Sequence, residues 1–223
     1  MLIKFLNRKL SVPIFVIMFI IYTLSALYSA EVQTKLVLTS KQEDEIKKID
    51  TLYNSFKTVR SRFVQKDSLG NSASGWFVLE KPGKLRVEYD NIPIRFIASG
   101  ANLLYQDIKL KQKSFIPIKS TPFYYLLKSK SSFLNKDIVI TEYEVNDTYT
   151  KITFVTKKAP AMGSLTLFLT SDTAQIIKWN ILDAKGITTE IFLSNPKFSV
   201  NAISNATIFN VQRIKDVDFN DAK

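Results

Sequence analysis

Residues 75–89 read Gly75-Trp76-Phe77-Val78-Leu79-Glu80-Lys81-Pro82-Gly83-Lys84-Leu85-Arg86-Val87-Glu88-Tyr89, and this stretch decides the fold class. Apolar side chains recur at every second position on both sides of the central Pro82-Gly83 pair, which is a turn signal. A period of two is typical of antiparallel strands that have one buried face and one wet face. The stretch therefore predicts two paired strands. Their inward side chains are Phe77, Leu79, Leu85, Val87 and Tyr89.

The same alternation continues through the second half of the chain. It recurs in residues 151–155, where Ile152 and Phe154 share one side, and again in residues 164–170 and 187–193. Turns need positive φ, which glycine adopts without strain, and five of the six glycines fall between these segments. A spacing of about 8–12 residues per strand predicts a single curved antiparallel sheet or a barrel.

Two helices are predicted beside the strands, which makes the fold class α+β with β dominant. Ser40 and Glu43 have the spacing of a capping box, and apolar residues then recur every three or four positions, so we predict a helix over Lys41–Val59. Thr121 and Pro122 are a good N-cap and first helical residue for a second, short helix. Its apolar face contains Phe123, Leu126 and Leu127. We expect the two helices to close the mouth of the curved sheet.

The first thirty residues have the pattern of an export signal. Residues 1–9 carry three basic side chains and no acid, residues 10–27 are mostly apolar, and small Ser29 and Ala30 follow. We predict a signal peptide over residues 1–30 and a single domain over residues 31–223. An uncleaved anchor is the alternative, because about 18 apolar residues just span a bilayer.

The composition excludes most catalytic chemistry. The chain has no cysteine and no histidine, so it has no disulfide, no thiolate nucleophile, no lipidated cysteine and no imidazole catalysis. We expect no metal, no cofactor and no enzymatic activity. Paired carboxylates such as Asp216 and Asp218 are the remaining catalytic alternative, and nothing in the sequence distinguishes them from a solvated acidic tail.

The net charge leaves two interpretations. Residues 31–223 carry 28 basic and 20 acidic side chains, a formal charge of +8. Export and the absence of a basic helix argue against nucleic acid as a partner. A solvated basic surface is the simpler interpretation, and a membrane-facing role is the alternative. The mild basic concentrations are Lys109, Lys111 and Lys113, and Lys128 and Lys130.

Several short motifs, in this order and spacing, resemble the outer-membrane lipoprotein carrier family of LolA-type periplasmic chaperones. The resemblance is clearest over residues 41–195. Besides residues 75–89, the motifs are Phe63-Val64-Gln65-Lys66, Ile97-Ala98-Ser99-Gly100, Leu103-Leu104-Tyr105, Gln112, Thr121-Pro122-Phe123 and Asp183-Ala184-Lys185-Gly186-Ile187-Thr188-Thr189.

The resemblance implies an unclosed antiparallel β-barrel of about eleven strands with a helical lid over an apolar cavity. It also implies a function. Such a carrier is a monomer that accepts lipoproteins from an ATP-driven releasing complex of the inner membrane. It carries their acyl chains through the periplasm to an outer-membrane receptor, where one is present. A lipid-sensing or membrane-tethered binding module of the same fold is the alternative function.

The resemblance also implies roles for individual residues. The family's lid is held by an arginine before proline, and Lys81 occupies that position here. Ammonium has fewer donors than guanidinium and a more flexible stem, so we expect a looser latch. The expected cavity lining is Phe77, Leu79, Leu85, Val87, Tyr89, Ile152 and Phe154, and the expected lid residues are Ile49, Phe56, Phe123, Leu126 and Leu127. The family's C-terminal motif is barely recognisable after Asn195.

Overall fold

The computed structural model describes residues 35–158, 160, 163–212, 214 and 216, without the side chains of Ser120, Pro122 and Phe123. The predicted signal peptide lies outside the described residues. Within the described part, no helix is both long enough and apolar enough to cross a membrane.

The described residues form one antiparallel sheet of eleven strands and one α-helix. The helix is α1 (Ser40–Ser55), and the strands are β1 (Thr58–Asp67), β2 (Ser72–Glu80), β3 (Lys84–Tyr89), β4 (Ile94–Ser99), β5 (Asn102–Asp107), β6 (Gln112–Pro117), β7 (Ile138–Val145), β8 (Tyr149–Thr156), β9 (Gly163–Thr170), β10 (Ile176–Asp183) and β11 (Thr188–Ser199). The strand order is β6-β5-β4-β3-β2-β1-β11-β10-β9-β8-β7. Strands β6 and β7 are the two edges, so the sheet is not closed. The predicted unclosed antiparallel architecture is confirmed.

The first helix begins one residue before the predicted start at about Lys41, but it ends four residues before the predicted end at Val59. The capping box lies one residue earlier than predicted, with Thr39 as the N-cap. The Thr39 side chain accepts from the Gln42 backbone N–H, and the Gln42 side chain accepts from the Thr39 backbone N–H. At the other end, Phe56 is extended, with φ −100° and ψ 150°. Val59 belongs to β1, where it pairs with Leu79 of β2 and Phe198 of β11. Strand pairing overrides the helical period there, because it satisfies the backbone groups of residues 58–60 on both sides.

The predicted second helix is a single 3-10 turn, Pro122–Tyr125. The chain leaves the helical path after this turn because the next two carbonyls bind elsewhere. The Tyr53 hydroxyl donates to the Leu126 carbonyl oxygen at 2.9 Å, and the Gly83 N–H donates to that of Leu127 at 2.8 Å.

The register assigns side chains to two faces. Phe77 lies opposite Val87, and Leu79 lies opposite Leu85, so these four side chains share the face on which α1 packs, called here the inner face. The prediction of a wet second face is wrong for β2. Trp76 and Val78 point to the other side, the outer face, and both are buried. Residues after β11 cover this face, and the resulting cluster contains Trp76, Val78, Ile203, Ile208 and Phe209.

Buried charges hold the C-terminal segment on the outer face. Arg86 is 1% exposed and donates from Nη1 to the Ile208 carbonyl oxygen at 2.8 Å. Its guanidinium also pairs with Glu88, and Glu88 Oε2 lies 3.3 Å from Arg95 Nε. Arg95 in turn pairs with Asp216 at 2.7 Å. The polar residues that alternate with apolar ones in β3 therefore do not face water. They belong to a buried ion cluster on the outer face.

Gly75 is the one glycine inside a strand, and its lack of a side chain makes room for an aromatic ring. The Phe63 ring lies beside Gly75 and meets the Tyr89 ring edge-on, with centroids 5.5 Å apart. A Cβ atom at Gly75 would collide with the Glu88 carbonyl oxygen and with the Phe63 ring.

Replacing Gly75 with valine should therefore lower the free energy of unfolding by about 1–3 kcal/mol or more, the usual cost of overpacking, because backbone must move. Urea unfolding followed by tryptophan fluorescence measures the change. Ser72→Val is the matched control, since it adds the same side chain to the exposed start of β2. Equal stability of the two variants would contradict the steric role of Gly75.

Candidate functional site

The inner face brings together all seven residues predicted to line a cavity. Phe77, Leu79, Leu85, Val87 and Tyr89 share the face through the pairing of β2 with β3. Ile152 and Phe154 lie on β8, opposite Leu167 and Leu165 of β9. Val87 and Tyr89 are half-buried, and the other predicted lining residues are buried. The inner face is thus an apolar surface that extends across both halves of the sheet.

Helix α1 and residues 118–137, called here the cover segment, lie on this face. Of the predicted lid residues, Ile49, Phe56, Leu126 and Leu127 are buried, and the side chain of Phe123 lies outside the described residues. Rings of the cover segment reach the sheet. The centroids of Tyr125 and Phe133 lie 6.2 and 6.0 Å from that of Phe154.

Polar groups in the second half of α1 bind the cover segment. Both carboxylate oxygens of Asp50 accept hydrogen bonds, from the Phe133 N–H at 2.9 Å and from the Ser132 hydroxyl at 2.8 Å. Burial raises the pKa of the Asp50 carboxyl, and these two donors oppose the rise. The Asn54 amide accepts from the Ser131 N–H at 2.9 Å and donates to the Ser131 carbonyl oxygen at 2.7 Å. Helix and cover segment are therefore joined as one unit.

Lys81 connects the sheet to this unit. Its Nζ donates to the Tyr53 carbonyl oxygen at 2.7 Å and lies 4.4 and 4.0 Å from the ring centroids of Tyr53 and Phe56. The Tyr53 carbonyl is in the last turn of α1, where carbonyls lack intrahelical partners and a cation is favourable. Lys81 is only 4% exposed, and this burial lowers its pKa to about 8.

The inner face is less covered in the half of the sheet that contains β3, β4 and β5. A row of aromatic rings crosses β1, β3, β4 and β5, and neighbouring centroids are 5.5 to 6.5 Å apart. The row consists of Phe63, Tyr89, Phe96 and Tyr105. Tyr89 and Phe96 are half-buried, and the Tyr89 hydroxyl donates to Gln65 Oε1 at 3.0 Å.

Sequence reasoning missed several residues of this site. Asp50 and Asn54 look like solvated helix residues in the sequence, although their spacing of four positions, with Tyr53 between them, places them on one helical side. Trp179 is also part of the inner face, with its ring 5.4 Å from that of Phe77. Its period-two relation to Ile181 is a weak signal. No group of three or more potential metal ligands occurs among the described residues.

The family model described as outer membrane lipoprotein carrier protein LolA matches residues 54–212. The match spans more than half of the chain, and the chain belongs to this family. Proteins of this family are binding or carrier modules of the cell envelope. No curated protein matches the chain.

Solved structures with a similar fold have little sequence in common with the chain. A DUF1329 family protein from Desulfovibrio piger has 12% identity and a TM-score of 0.50, over 79% of this chain and 98% of that one. A putative outer membrane lipoprotein-sorting protein domain from Vibrio parahaemolyticus has 14% identity and a TM-score of 0.49, over 78% and 98%. A LolA superfamily protein from Nitrosomonas europaea has 8% identity and a TM-score of 0.45, over 79% and 99%. Of these three structures, only the DUF1329 family protein reaches a TM-score of 0.50, and at 12% identity the similarity is one of fold alone.

Proposed function

We propose that the protein is a periplasmic carrier that binds the acyl chains of lipoproteins on its inner face. It receives them from an ATP-driven releasing complex of the inner membrane and carries them to the outer membrane. The observation that carries the proposal is the apolar inner face under a cover fastened by Lys81. Membership of the lipoprotein carrier family supports the same assignment.

The energetics of transfer explain why such a site is apolar and unspecific. Each methylene group taken from water into an apolar site gains about 0.8 kcal/mol. The cargo leaves one membrane and enters another, and both are as apolar as the site. A carrier therefore has to bind strongly relative to water and only weakly relative to a bilayer. A face of aliphatic and aromatic side chains with few polar groups meets both requirements.

The contacts of the cover indicate how cargo enters. Helix α1 and the cover segment act together as the lid, because Asp50 and Asn54 join them. Polar contacts between this lid and the sheet include the Lys81 bond to Tyr53, the Gly83 bond to Leu127 and a 3.0 Å bond from the Tyr143 hydroxyl to Glu45. The lid moves away as one unit, and the inner face under Tyr125 and Phe133 becomes available to acyl chains.

Site-specific crosslinking tests the proposal. A photoreactive residue in place of Val87, on the inner face, should crosslink lipoprotein in cells. The matched control is Val64, a valine of β1 on the outer face with 40% exposure, which should not. The purified protein should also release lipoprotein from inner-membrane spheroplasts.

Each result of this experiment has a distinct meaning. Equal crosslinking from both faces, or none from Val87, would overturn lipid binding on the inner face. Crosslinking from Val87 without release from spheroplasts would favour a lipid-sensing or tethered module over a carrier.

A further inference from the structure

Four of the strand turns at one end of the sheet form a surface that is called here the rim. The turns are residues 68–71, 90–93, 108–111 and 184–187, and the antiparallel strand order places them all at the same end. Two backbone hydrogen bonds join neighbouring turns. The Ser68 N–H donates to the Thr188 carbonyl oxygen at 2.9 Å, and the Ile108 N–H donates to that of Pro93 at 2.7 Å.

The less covered part of the inner face lies next to this rim. Tyr89 is the last residue of β3 before the rim, and Val87 and Phe96 pair with each other near it. All three side chains are half-buried. At the opposite end of β2, Lys81 is buried under α1. The rim is therefore the end at which apolar inner surface approaches solvent.

The rim exposes large apolar side chains at its turn tips. Leu69 is 57% exposed, Leu110 is 52% exposed and Ile108 is 40% exposed. Exposed aliphatic side chains at several adjacent tips are typical of surfaces that bind another apolar phase.

Lysines flank the apolar tip of the β5–β6 turn. Lys109 and Lys111 stand on either side of Leu110, and both are exposed. Neither forms an ion pair with another residue that the structure describes. The acid of this hairpin, Asp107, is buried and accepts the Leu110 N–H at 2.8 Å, which fixes the turn. The exposed surface of the turn is therefore basic and apolar.

We propose that this rim docks on the surface of a bilayer that contains anionic phospholipid. Leu69 and Leu110 enter the headgroup layer, while Lys109 and Lys111 contact the lipid phosphates. This combination of apolar tips and basic flanks is the one that interfacial membrane binding uses. Docking brings the half-buried part of the inner face next to the bilayer. The proposal concerns the empty protein and goes beyond the carrier function.

A fluorescent probe at Leu110 tests the insertion. Because the chain has no cysteine, Leu110→Cys can be labelled at one position with an environment-sensitive dye. Vesicles of phosphatidylcholine with phosphatidylglycerol should shift its emission to the blue, and pure phosphatidylcholine vesicles should shift it much less. The control dye at Val200→Cys, 72% exposed and at the opposite end of the strands, should not respond. Equal shifts at both positions, or with both vesicles, would overturn the proposal.

Charge removal supplies a second, independent test in vesicle sedimentation. The protein is used as the cell processes it. A retained apolar N-terminal segment would add the same binding free energy to every variant, and the ratio of their affinities would stay unchanged. Each lysine near an anionic surface contributes about fivefold in affinity, so Lys109→Gln with Lys111→Gln should weaken binding about 25-fold. Lys119→Gln with Lys197→Gln removes two charges at the opposite end and should change it little. Equal losses of affinity in the two double variants would mean that the whole basic surface attracts the vesicles unspecifically, and they would overturn the proposal. Binding to an acidic protein but not to anionic vesicles would also overturn the proposal.

Discussion

A variant with leucine in place of Lys81 should fold normally but fail to keep its lid closed and to pass cargo on. Leucine removes the donor to the Tyr53 carbonyl oxygen, now bonded at 2.7 Å, and the cation beside two aromatic rings. A hydrogen bond from a charged group is worth about 1.5–3 kcal/mol, so the lid equilibrium should shift toward the open form by about 10- to 150-fold. Folding should persist, because the Lys81 side chain bonds to α1 and the backbone pairing of β2 with its neighbours does not use it.

Transfer of lipoprotein from spheroplasts to outer membranes measures this effect, and urea unfolding checks the fold. Lys81→Arg is the matched control, since it keeps a charged donor at the same position and should preserve transfer. Unchanged transfer by the leucine variant would show that Lys81 is not a latch. Loss of folding in the leucine variant would contradict the expected separation of lid and sheet.

The same residue should make lid closure depend on pH. Burial lowers the pKa of Lys81 from 10.5 to about 8 in the closed form, and the open form exposes the ammonium to water. The closed form thus binds fewer protons between these two values, so closure strengthens as pH rises from 8 to 10.5 and is weakest below 8. The neutral amine still has an N–H to donate to the Tyr53 carbonyl oxygen, and it no longer carries the desolvation cost of a charge. Binding of an apolar dye to the inner face should therefore fall as pH rises from 8 to 10.5, and Lys81→Leu should remove this pH dependence.

The strands were predictable because their signal is local. A period of two reports which side of a strand is buried, and it identified residues in β2, β3, β8, β9 and β11 without knowledge of their partners. Turn glycines are equally local. Gly70, Gly83, Gly100, Gly163 and Gly186 all have positive φ, as their positions between strands suggested. The unclosed order of the strands came from family resemblance, since alternation alone does not distinguish an open sheet from a barrel.

The lid was only partly predictable because its polar contacts join distant parts of the chain. Asp50 and Asn54 bind residues about eighty positions later, so nothing near them indicates that they are buried partners. The same holds for the end of α1. The helical period runs on to Val59, but the pairing of β1 with β2 and β11 decides the conformation there. The prediction of a wet outer face was wrong for a related reason, because the residues that cover this face come after β11, far from β2 in the sequence.

The buried ion cluster of the outer face should show the largest effect on stability. Glu88→Gln keeps the size of the side chain but removes the anion between Arg86 and Arg95, which are 1% and 7% exposed. Removing one partner of a buried ion pair costs about 3–5 kcal/mol, because the remaining charge loses an attraction that offsets its desolvation. We expect a loss of this size in urea unfolding, together with protease cleavage of the residues after β11. Fluorescence of Trp76, in a Trp179→Phe background, reports on the outer face directly.

Asp216→Asn is the control that separates burial from charge. Asp216 pairs with Arg95 at 2.7 Å, but its side chain is 94% exposed. Water already solvates this carboxylate, so its loss should cost at most about 1 kcal/mol. Arg95 would then still have Glu88, whereas Glu88→Gln removes the half-buried anion that pairs with both arginines. Equal losses for the two variants would mean that net charge, rather than the buried position of Glu88, holds the C-terminal segment on the sheet.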